Sequence, residues 1–296
     1  MSNHSKAASS RREFLKTAIL LTAGSVAFRP RSFAKPHVSD DEWIVAAKFA
    51  LARKEALAQR PIGEVMAAIG ASFIGTPYAA NTLELPGDER LVVNLHGLDC
   101  VTFVENTLAL SRCVKSGKTD FGTFNDQLRL IRYRDGVLDG YASRLHYFSE
   151  WIQNNGKKDI VKDVAREIGV EEYTKKITFM SSHRESYKQL KDDAVYESIR
   201  EIEDALNTQT RYLIPKDKVE SLEAGFNSGD IIAITTTIDG LDVSHTGLAY
   251  RENGILKYLH APLSGGAVQI SGNPLWEYLA RNKKATGVMV ARPLEP

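Results

Sequence analysis

The chain has 296 residues, of which 43% are hydrophobic and 25% are charged, with a formal net charge of +1. A chain of this length can bury enough apolar surface to fold without disulfides or structural metals. Neither the near-neutral charge nor any basic cluster indicates a nucleic-acid partner, because such proteins concentrate positive charge against phosphates.

The first 34 residues have the pattern of an export signal. Ser10–Lys16 carries two consecutive arginines before an apolar stretch, Thr17–Phe28, and Ser32–Ala34 suits a cleavage site. The arginine pair followed by Phe-Leu-Lys resembles a twin-arginine signal, so we expect export by that route to the periplasm or another extracytoplasmic location. The apolar stretch is too short for a stable membrane span. Removal of residues 1–34 leaves 32 basic against 36 acidic residues, a net charge near −4.

Residues 35–296 are predicted to form a single α+β domain that begins with helices. Ser39–Glu42 is a capping-box sequence that should start the first helix. An apolar stripe follows at helical spacing: Trp43, Ala46, Ala47, Ala50 and Leu51. A second helix is predicted over about Pro61–Phe73, and a third over about Cys100–Lys115, closed by Gly117.

The last third of the chain has the pattern of antiparallel strands separated by glycine-containing turns. The predicted strands are Asp230–Thr237, Ser244–Arg251, Ile255–Ala261, Ala267–Ile270 and Gly287–Arg292, with a helix over about Pro274–Arg281. Residues 117–225 are predicted to be a large, mostly helical insertion. One amphipathic helix is marked there by Val195, Ile199, Ile202 and Leu206.

The two cysteines lie 13 residues apart on one predicted helix, which separates them by roughly 20 Å along its axis. A disulfide needs Cα atoms within about 7 Å, so these residues cannot bridge each other. Cys113 is predicted to be a buried small hydrophobic residue. Cys100 is then a free thiol at the start of a helix.

Two histidines are predicted to be neighbours on a hairpin. Asn253-Gly254 is a strong signal for a two-residue turn, and such a turn places Gly247 opposite His260. His245 then lies on the same face as His260, as its diagonal neighbour. A bulge of one residue would reverse this arrangement, so the prediction depends on an unbroken register.

These three residues suggest nucleophilic catalysis. Asp99 is a plausible N-cap for the cysteine helix, and the helix N-terminus and a neighbouring imidazolium are both expected to lower the pKa of Cys100. In this hypothesis Cys100 attacks a carbonyl carbon, His245 is the general base, and His260 orients His245. Backbone N–H groups at the helix start are available for the oxyanion.

Several segments occur together in an order that resembles NlpC-like cell-wall cysteine peptidases. They are Ile74–Tyr78, Asp99-Cys100, Gly229–Ile232, Ser244–Gly247 and His260. The resemblance covers about residues 61–115 and 226–292. It implies a papain-like core with a Cys-His-His triad that cuts amide bonds in peptidoglycan, and it implies that Tyr78 borders the site and helps to polarise the scissile carbonyl.

The chain departs from the common pattern Asp-Cys-Ser-Gly, because Val101 and Thr102 follow Cys100. The longer patterns Asn94–Glu105 and Tyr141–Phe148 look like the N-acetylmuramoyl-L-alanine amidase-like branch. That resemblance implies cleavage between sugar and peptide, with a preference for anhydro-muramoyl fragments.

The expected partners are therefore peptidoglycan fragments, held in part by the middle insertion. Arg144 and His146 are the predicted sugar contacts, and Tyr78 and Asp99 complete the predicted substrate-binding set. Three nearby aromatic residues could either hold the sugar or belong to the core: Tyr147, Phe148 and Trp151.

Three alternatives remain open from the residues. The first is a γ-D-glutamyl-diaminopimelate endopeptidase on the same scaffold. The second is a zinc hydrolase that uses Cys100, His245 and His260 as ligands, although no carboxylate that would orient these ligands is obvious and no HExxH pattern accompanies them. The third is a wall-binding module without catalysis. The favoured hypothesis needs neither a metal nor a cofactor.

Overall fold

Helices make up the first part of the chain, as the sequence predicts, and most of the strands follow later. The computed structural model describes residues 39–169 and 171–296, and the predicted export signal lies outside these residues. The α-helices in these ranges are α1 (Asp40–Lys54), α2 (Ile62–Ala71), α3 (Cys100–Ser116), α4 (Phe121–Arg132), α5 (Phe148–Lys157), α6 (Ala165–Ile168), α7 (Phe179–Ser182), α8 (Asp193–Asn207) and α9 (Leu275–Arg281). No helix in the described ranges is long and apolar enough to cross a membrane.

One antiparallel sheet organises the second half of the chain. Its strands are β1 (Val161–Asp163), β2 (Glu171–Glu172), β3 (Tyr212–Pro215), β4 (Ile231–Thr236), β5 (Val243–Glu252), β6 (Ile255–His260), β7 (Gln269–Ile270) and β8 (Ala285–Pro293). They lie in the order β2-β3-β8-β4-β5-β6-β7, and β1 also pairs with β8. The predicted α+β class is thus correct, and β4 to β8 agree with the predicted strands to within a few residues.

The two faces of the sheet are covered by different helices. Phe103 and Leu108 of α3 pack in the core that includes Leu248 on β5. On the other face, Leu275 of α9 packs in the core that includes Tyr258 on β6. Neighbouring strand residues point to opposite faces, so each strand contributes to both cores.

The first helix forms where predicted, but it buries a different face. Ser39 accepts a hydrogen bond from the Glu42 N–H and caps the helix, as expected. The buried residues, however, are Val45, Phe49 and Ala52, and Trp43 is 68% exposed. Both stripes have helical spacing, and the aromatic ring of Phe49, rather than that of Trp43, meets the core.

The middle of the chain is only partly a helical insertion. Its helix α8 buries Ile199 and Leu206 over a separate apolar cluster, as the sequence pattern indicates. The same region also supplies β1 and β3, which both pair with β8. Because of these pairings, the middle region is part of the main sheet and not only an insertion beside it.

A close approach between α2 and the start of β4 depends on glycine. Gly229 has φ +86°, and a Cβ atom there would lie 2.0 Å from the carbonyl oxygen of Gly63. A side chain at position 229 would therefore force the two segments apart and strain the backbone as well.

We predict that Gly229→Ala lowers the free energy of unfolding by about 2 to 4 kcal/mol, because strain and overlap add together. Urea denaturation measures the change. The matched control is Gly254→Ala, which should cost about 1 kcal/mol. Gly254 has φ +83°, but a Cβ atom there would meet no heavy atom within 4 Å. Equal losses of stability in the two variants would contradict the steric overlap predicted at position 229.

Candidate active site

The β5–β6 hairpin has the register that the sequence predicts. Asn253 and Gly254 both have positive φ at the turn, and Gly247 pairs with His260. His245 Nε2 lies 2.7 Å from His260 Nδ1, within hydrogen-bond distance. The two predicted histidines are thus brought together, and no bulge interrupts their hairpin between the turn and Gly247.

Because Gly247 has no side chain, the rings of the histidine pair have room to meet. A Cβ atom at this position would lie 2.8 Å from the Cβ atom of His260 and 2.8 Å from Cε2 of Tyr258. Real Cβ atoms do not approach other atoms so closely, so a side chain here would displace one of the two rings. The absence of a side chain lets His245 reach diagonally across the hairpin.

Aromatic rings surround the histidine pair. Tyr258 stacks on His260 with ring centroids 4.6 Å apart and meets His245 edge-on at 5.7 Å. Tyr278, from α9, lies edge-on to His260 at 5.2 Å. This apolar environment penalises positive charge.

Both histidines are therefore uncharged at neutral pH. Burial lowers the pKa of His245 to about 4. Burial, and secondly the charge of His245, lower the pKa of His260 to about 3. Because Nε2 of His245 faces His260, Nδ1 is the ring nitrogen that remains for another group.

Cys100 is the first residue of a strongly capped helix. The Asp99 carboxylate accepts hydrogen bonds from the N–H of Thr102 at 2.7 Å and from its hydroxyl at 2.8 Å. The Thr102 hydroxyl oxygen in turn accepts from the Asp99 N–H at 2.9 Å. The predicted N-cap is confirmed. Within the described chain, the N–H groups of Cys100 and Val101 have no hydrogen-bond acceptor from another residue, so they are available to an incoming oxygen.

The start of α3 lies against β5 next to His245. The Thr246 hydroxyl donates to the Cys100 carbonyl at 2.9 Å. No hydrogen bond joins the Cys100 thiol to His245 among the described residues. Both cysteines are free thiols, as predicted; Cys113 is fully buried, whereas Cys100 is partly accessible.

The expectation of a lowered cysteine pKa is wrong for the ligand-free site. Burial, and secondly the Asp99 carboxylate, raise the pKa of Cys100 to about 11, although hydrogen bonds from Thr246 act in the opposite direction. The cap that starts the helix thus places a negative charge beside the sulfur. The expected imidazolium is absent as well, because His245 is neutral. The resting pair is a thiol and an imidazole.

Tyr78 lies near enough to Cys100 for the charge of an ionised thiol to act on it. Its backbone N–H donates to Gly266 at 2.8 Å, and the neighbouring Pro77 and Ala79 pair with Leu98. Burial, and secondly the charge of an ionised Cys100, raise the pKa of Tyr78. The phenol therefore stays protonated and can donate a hydrogen bond at neutral pH.

A cavity of about 170 Å³ lies at the start of α3, and Cys100 itself is not among its lining residues. Asp99 and Val101, which flank Cys100 in the chain, form part of its wall, and so do Arg144 and His146. The structure thus brings three of the four predicted substrate-binding residues to one cavity. Arg144 is held by Glu84 at 2.6 Å, and His146 Nε2 lies 2.8 Å from the Tyr141 carbonyl oxygen.

The aromatic residues of the middle region belong to the core. Trp151, Tyr147 and Phe148 are at most 5% exposed. The indole of Trp151 and the ring of Phe148 stack at 4.8 Å, and the Tyr147 hydroxyl donates to Glu203. They cannot offer a face to a sugar, so of the two interpretations the core one is correct.

Sequence reasoning missed several residues around the site. Tyr258 could have been found, because it lies two residues before His260 and alternation puts it on the same face. Thr246 and the buried pair Glu105–Arg132, whose atoms Oε2 and Nε are 2.7 Å apart, have no pattern in the sequence. No group of three or more His, Cys, Asp or Glu side chains in the described ranges is arranged to hold a metal ion.

The pKa of Cys100 predicts slow alkylation at neutral pH. In a Cys113→Ala background, the rate of reaction with iodoacetamide should keep rising through pH 9 to 10, because the thiolate is the reactive form. Mass spectrometry of the labelled protein measures the rate, and Cys100→Ala gives the blank. A rate that is already constant between pH 6 and 8 would contradict a raised pKa.

The neutral histidines predict a loss of stability in acid. Their pKa values in the folded protein lie below the ordinary value of 6.5, so the unfolded chain binds more protons as the pH falls below about 6.5. Each histidine then costs up to about 1.4 kcal/mol per pH unit until its folded pKa is reached. Urea denaturation between pH 7 and 4 should show a steeper fall for the wild type than for the His245→Gln/His260→Gln variant. Parallel curves of stability against pH would contradict the lowered histidine pKa values, because the carboxylates titrate in both proteins.

Comparison with known proteins agrees with this geometry. Residues 68–288 match the family described as N-acetylmuramoyl-L-alanine amidase-like. No protein of curated function is similar enough to match.

Solved structures give the same result. An N-acetylmuramoyl-L-alanine amidase from Bacteroides uniformis is 37% identical, with a TM-score of 0.75 over 79% of this chain and 99% of that one. A Bacteroides fragilis protein given as a candidate xylanase is 39% identical, with a TM-score of 0.71 over 75% and 98%. A Legionella pneumophila protein, 23% identical with a TM-score of 0.64 over 86% and 97%, shares the fold. The chain belongs to the N-acetylmuramoyl-L-alanine amidase-like family.

Proposed function

We propose that this chain is a cysteine amidase that hydrolyses the N-acetylmuramoyl-L-alanine bond of peptidoglycan fragments, anhydro-muropeptides above all, on a papain-like core of the NlpC type. The hydrogen bond between His245 and His260 carries the proposal. His245 lies on strand β5. The next residue on that strand, Thr246, donates a hydrogen bond to the carbonyl of Cys100, the first residue of the cysteine helix. A base with its orienting partner and a helix-terminal thiol therefore converge at one strand end.

The resting protonation states define the first step. Thiol and imidazole are both neutral, so His245 takes the thiol proton on Nδ1 as the sulfur attacks the lactyl carbonyl carbon. The positive charge that develops on His245 is stabilised by its hydrogen bond to His260. A substrate that excludes water strengthens the attraction between the sulfur, as it loses its proton, and the positively charged ring of His245. Formation of the pair requires the two side chains to come into direct contact when substrate binds.

The same site binds the oxyanion and protonates the leaving group. The free N–H groups at the start of α3 bind the oxyanion, and the Tyr78 phenol donates a further hydrogen bond. His245 then gives its proton to the amine of L-alanine as the C–N bond breaks. Water, deprotonated by the same histidine, hydrolyses the thioester and releases the lactyl carboxylate.

The residues after the cysteine favour the amidase over the endopeptidase. Val101 places an apolar side chain in the cavity wall, where the common NlpC pattern has a serine that helps to hold the stem-peptide amine. The Thr102 hydroxyl is occupied by Asp99 in the helix cap. Neither side chain can hold that amine. The proposed location is periplasmic or otherwise extracytoplasmic, after twin-arginine export, and it rests on Ser10–Lys16.

Mass spectrometry of muropeptide digests tests the proposal. The wild type should release an anhydro-disaccharide and an intact peptide that starts with L-alanine. Cys100→Ala should lower kcat by about 1000-fold or more, since the nucleophile is lost. Cys113→Ala is the matched control and should keep the activity, because Cys113 lies in the core.

Other outcomes would point to the alternatives. Cleavage inside the stem peptide, with the sugar–peptide bond intact, indicates the endopeptidase. Stoichiometric zinc with activity lost to a chelator indicates a zinc hydrolase. Binding without turnover in both the wild type and Cys100→Ala indicates a wall-binding module, and release of sugars from xylan would indicate a glycosidase.

A further inference from the structure

We propose that Tyr133 and Glu89 are positioning residues of the candidate active site: they anchor the long loop that joins Tyr78 to Asp99, and this loop forms one wall of the cavity at the start of α3. The proposal rests on the proposed function and adds to it how the wall that meets the substrate is held. Neither Tyr133 nor Glu89 lines the cavity, so both act on a ligand only through the loop.

The loop, residues 79–97, has its two ends side by side. Tyr78 pairs with Leu98, whose N–H donates to the Pro77 carbonyl at 3.0 Å. Its interior is much less regular. Among residues 80–94, one backbone–backbone hydrogen bond is formed in the described chain, from the Glu84 N–H to the Asn81 carbonyl. Connections longer than about 15 residues without secondary structure usually serve a function, and this one depends on side chains from elsewhere for its position.

Tyr133 supplies the most deeply buried of these contacts. Its side chain is 0% exposed, and its hydroxyl oxygen lies 2.9 Å from Glu89 Oε1 and 3.1 Å from the Arg90 carbonyl oxygen. Burial, and secondly the Glu89 charge, raise the pKa of Tyr133, so the phenol stays protonated and can donate. One hydroxyl thus reaches two neighbouring residues of the loop.

The side chain of Glu89 is buried although its neighbours in the chain are not. Asp88 and Arg90 are exposed, whereas the Glu89 side chain is 6% exposed and its Oε1 lies 3.3 Å from Nε of Arg144. Burial raises the pKa of Glu89, although the Arg144 charge and the Tyr133 hydroxyl act in the opposite direction. A carboxylate removed from water depends on such partners, and the loss of one of them is costly.

The anchoring residues share one base. Tyr133 and Arg144 form an antiparallel β-bridge. From this base Arg144 also holds Glu84 at 2.6 Å, and the adjacent Arg132 donates to the Val92 carbonyl at 2.6 Å. The loop is therefore attached on both sides of its buried carboxylate.

The attached part of the loop belongs to the cavity wall. Three residues of the loop and two at the start of α3 line the cavity: Asn81, Leu83, Glu84, Asp99 and Val101. A wall that is already in place does not have to be ordered when the substrate binds. Loss of the contact between Tyr133 and Glu89 adds this cost, and it weakens binding more than it slows the chemistry at Cys100.

Steady-state kinetics on an anhydro-muropeptide tests the inference. Tyr133→Phe removes the hydroxyl and Glu89→Gln removes the charge. Each should raise KM about tenfold while kcat stays within about threefold, since a hydrogen bond to a charged group is lost outside the reacting centre. The double variant should raise KM little further, because both changes remove the same contact.

Tyr147→Phe and Glu203→Gln are the matched controls. Tyr147 is also a buried tyrosine whose hydroxyl donates to a buried carboxylate, that of Glu203. Neither residue lines the cavity, and their hydrogen bonds go to Met180 and Ser181 instead of the loop. Both controls lose a comparable buried contact, yet they should leave KM within about twofold.

Trypsin gives a measurement that does not depend on activity. Arg90 is the one arginine or lysine in residues 79–97, and cleavage after it requires the loop to leave its anchors. Mass spectrometry should show cleavage after Arg90 about tenfold faster in Tyr133→Phe than in the wild type, and within about twofold in Tyr147→Phe. If Tyr133→Phe does not fold, Glu84→Gln takes its place in this assay, since that side chain is 30% exposed.

The outcomes separate this inference from the proposed function. Equal rates of tryptic cleavage in Tyr133→Phe and Tyr147→Phe overturn the anchoring. Faster cleavage without a rise in KM overturns the positioning role. If the wild type hydrolyses no muropeptide, the amidase fails, and calorimetric affinity for the muropeptide in a Cys100→Ala background replaces KM. A tenfold weaker affinity in Tyr133→Phe then supports the positioning role, and an unchanged affinity overturns it.

Discussion

The candidate site depends on the pairing of Gly247 with His260 in the β5–β6 hairpin. Successive strand residues alternate between faces, so a shift of one residue would turn His245 away from His260. The hydrogen bond between the rings needs both the correct parity and an open space between them. The turn at Asn253-Gly254 sets the parity, and the missing side chain of Gly247 supplies the space.

The second requirement is that the cysteine helix begins against this hairpin. The capping box between Asp99 and Thr102 satisfies N–H groups at the helix start and fixes where the helix begins. The Thr246 hydroxyl then ties the Cys100 carbonyl to the strand. Because Thr246 lies on the face that α3 covers, the adjacent His245 belongs to the opposite face, which α9 covers.

Local patterns were sufficient to predict much of this arrangement. The turn residues, the cap and the alternation of β5 and β6 are encoded within short segments, and they place Cys100, His245 and His260 on their elements. The buried face of α1 was not predictable in this way, because Trp43 and Phe49 belong to two stripes of equal helical spacing. Glu105 on α3 and Arg132 on α4 are 27 residues apart in the chain, and no spacing rule relates residues on different helices. The pKa of Cys100 is likewise a property of the assembled site, since burial and the Asp99 charge outweigh the Thr246 hydrogen bonds and the helix N-terminus.

A neutral thiol also limits a risk that the proposed export would bring. A free cysteine in the oxidising compartment proposed for this protein is at risk, and the thiolate is the form that oxidants attack. Burial and the neighbouring Asp99 keep the thiolate fraction low, and the neutral His245 does nothing to increase it. The sulfur becomes nucleophilic only when a base next to it can take its proton in a site closed to water. These features are compatible with the proposed mechanism, because in it the substrate excludes water and His245 takes the thiol proton only as the sulfur attacks.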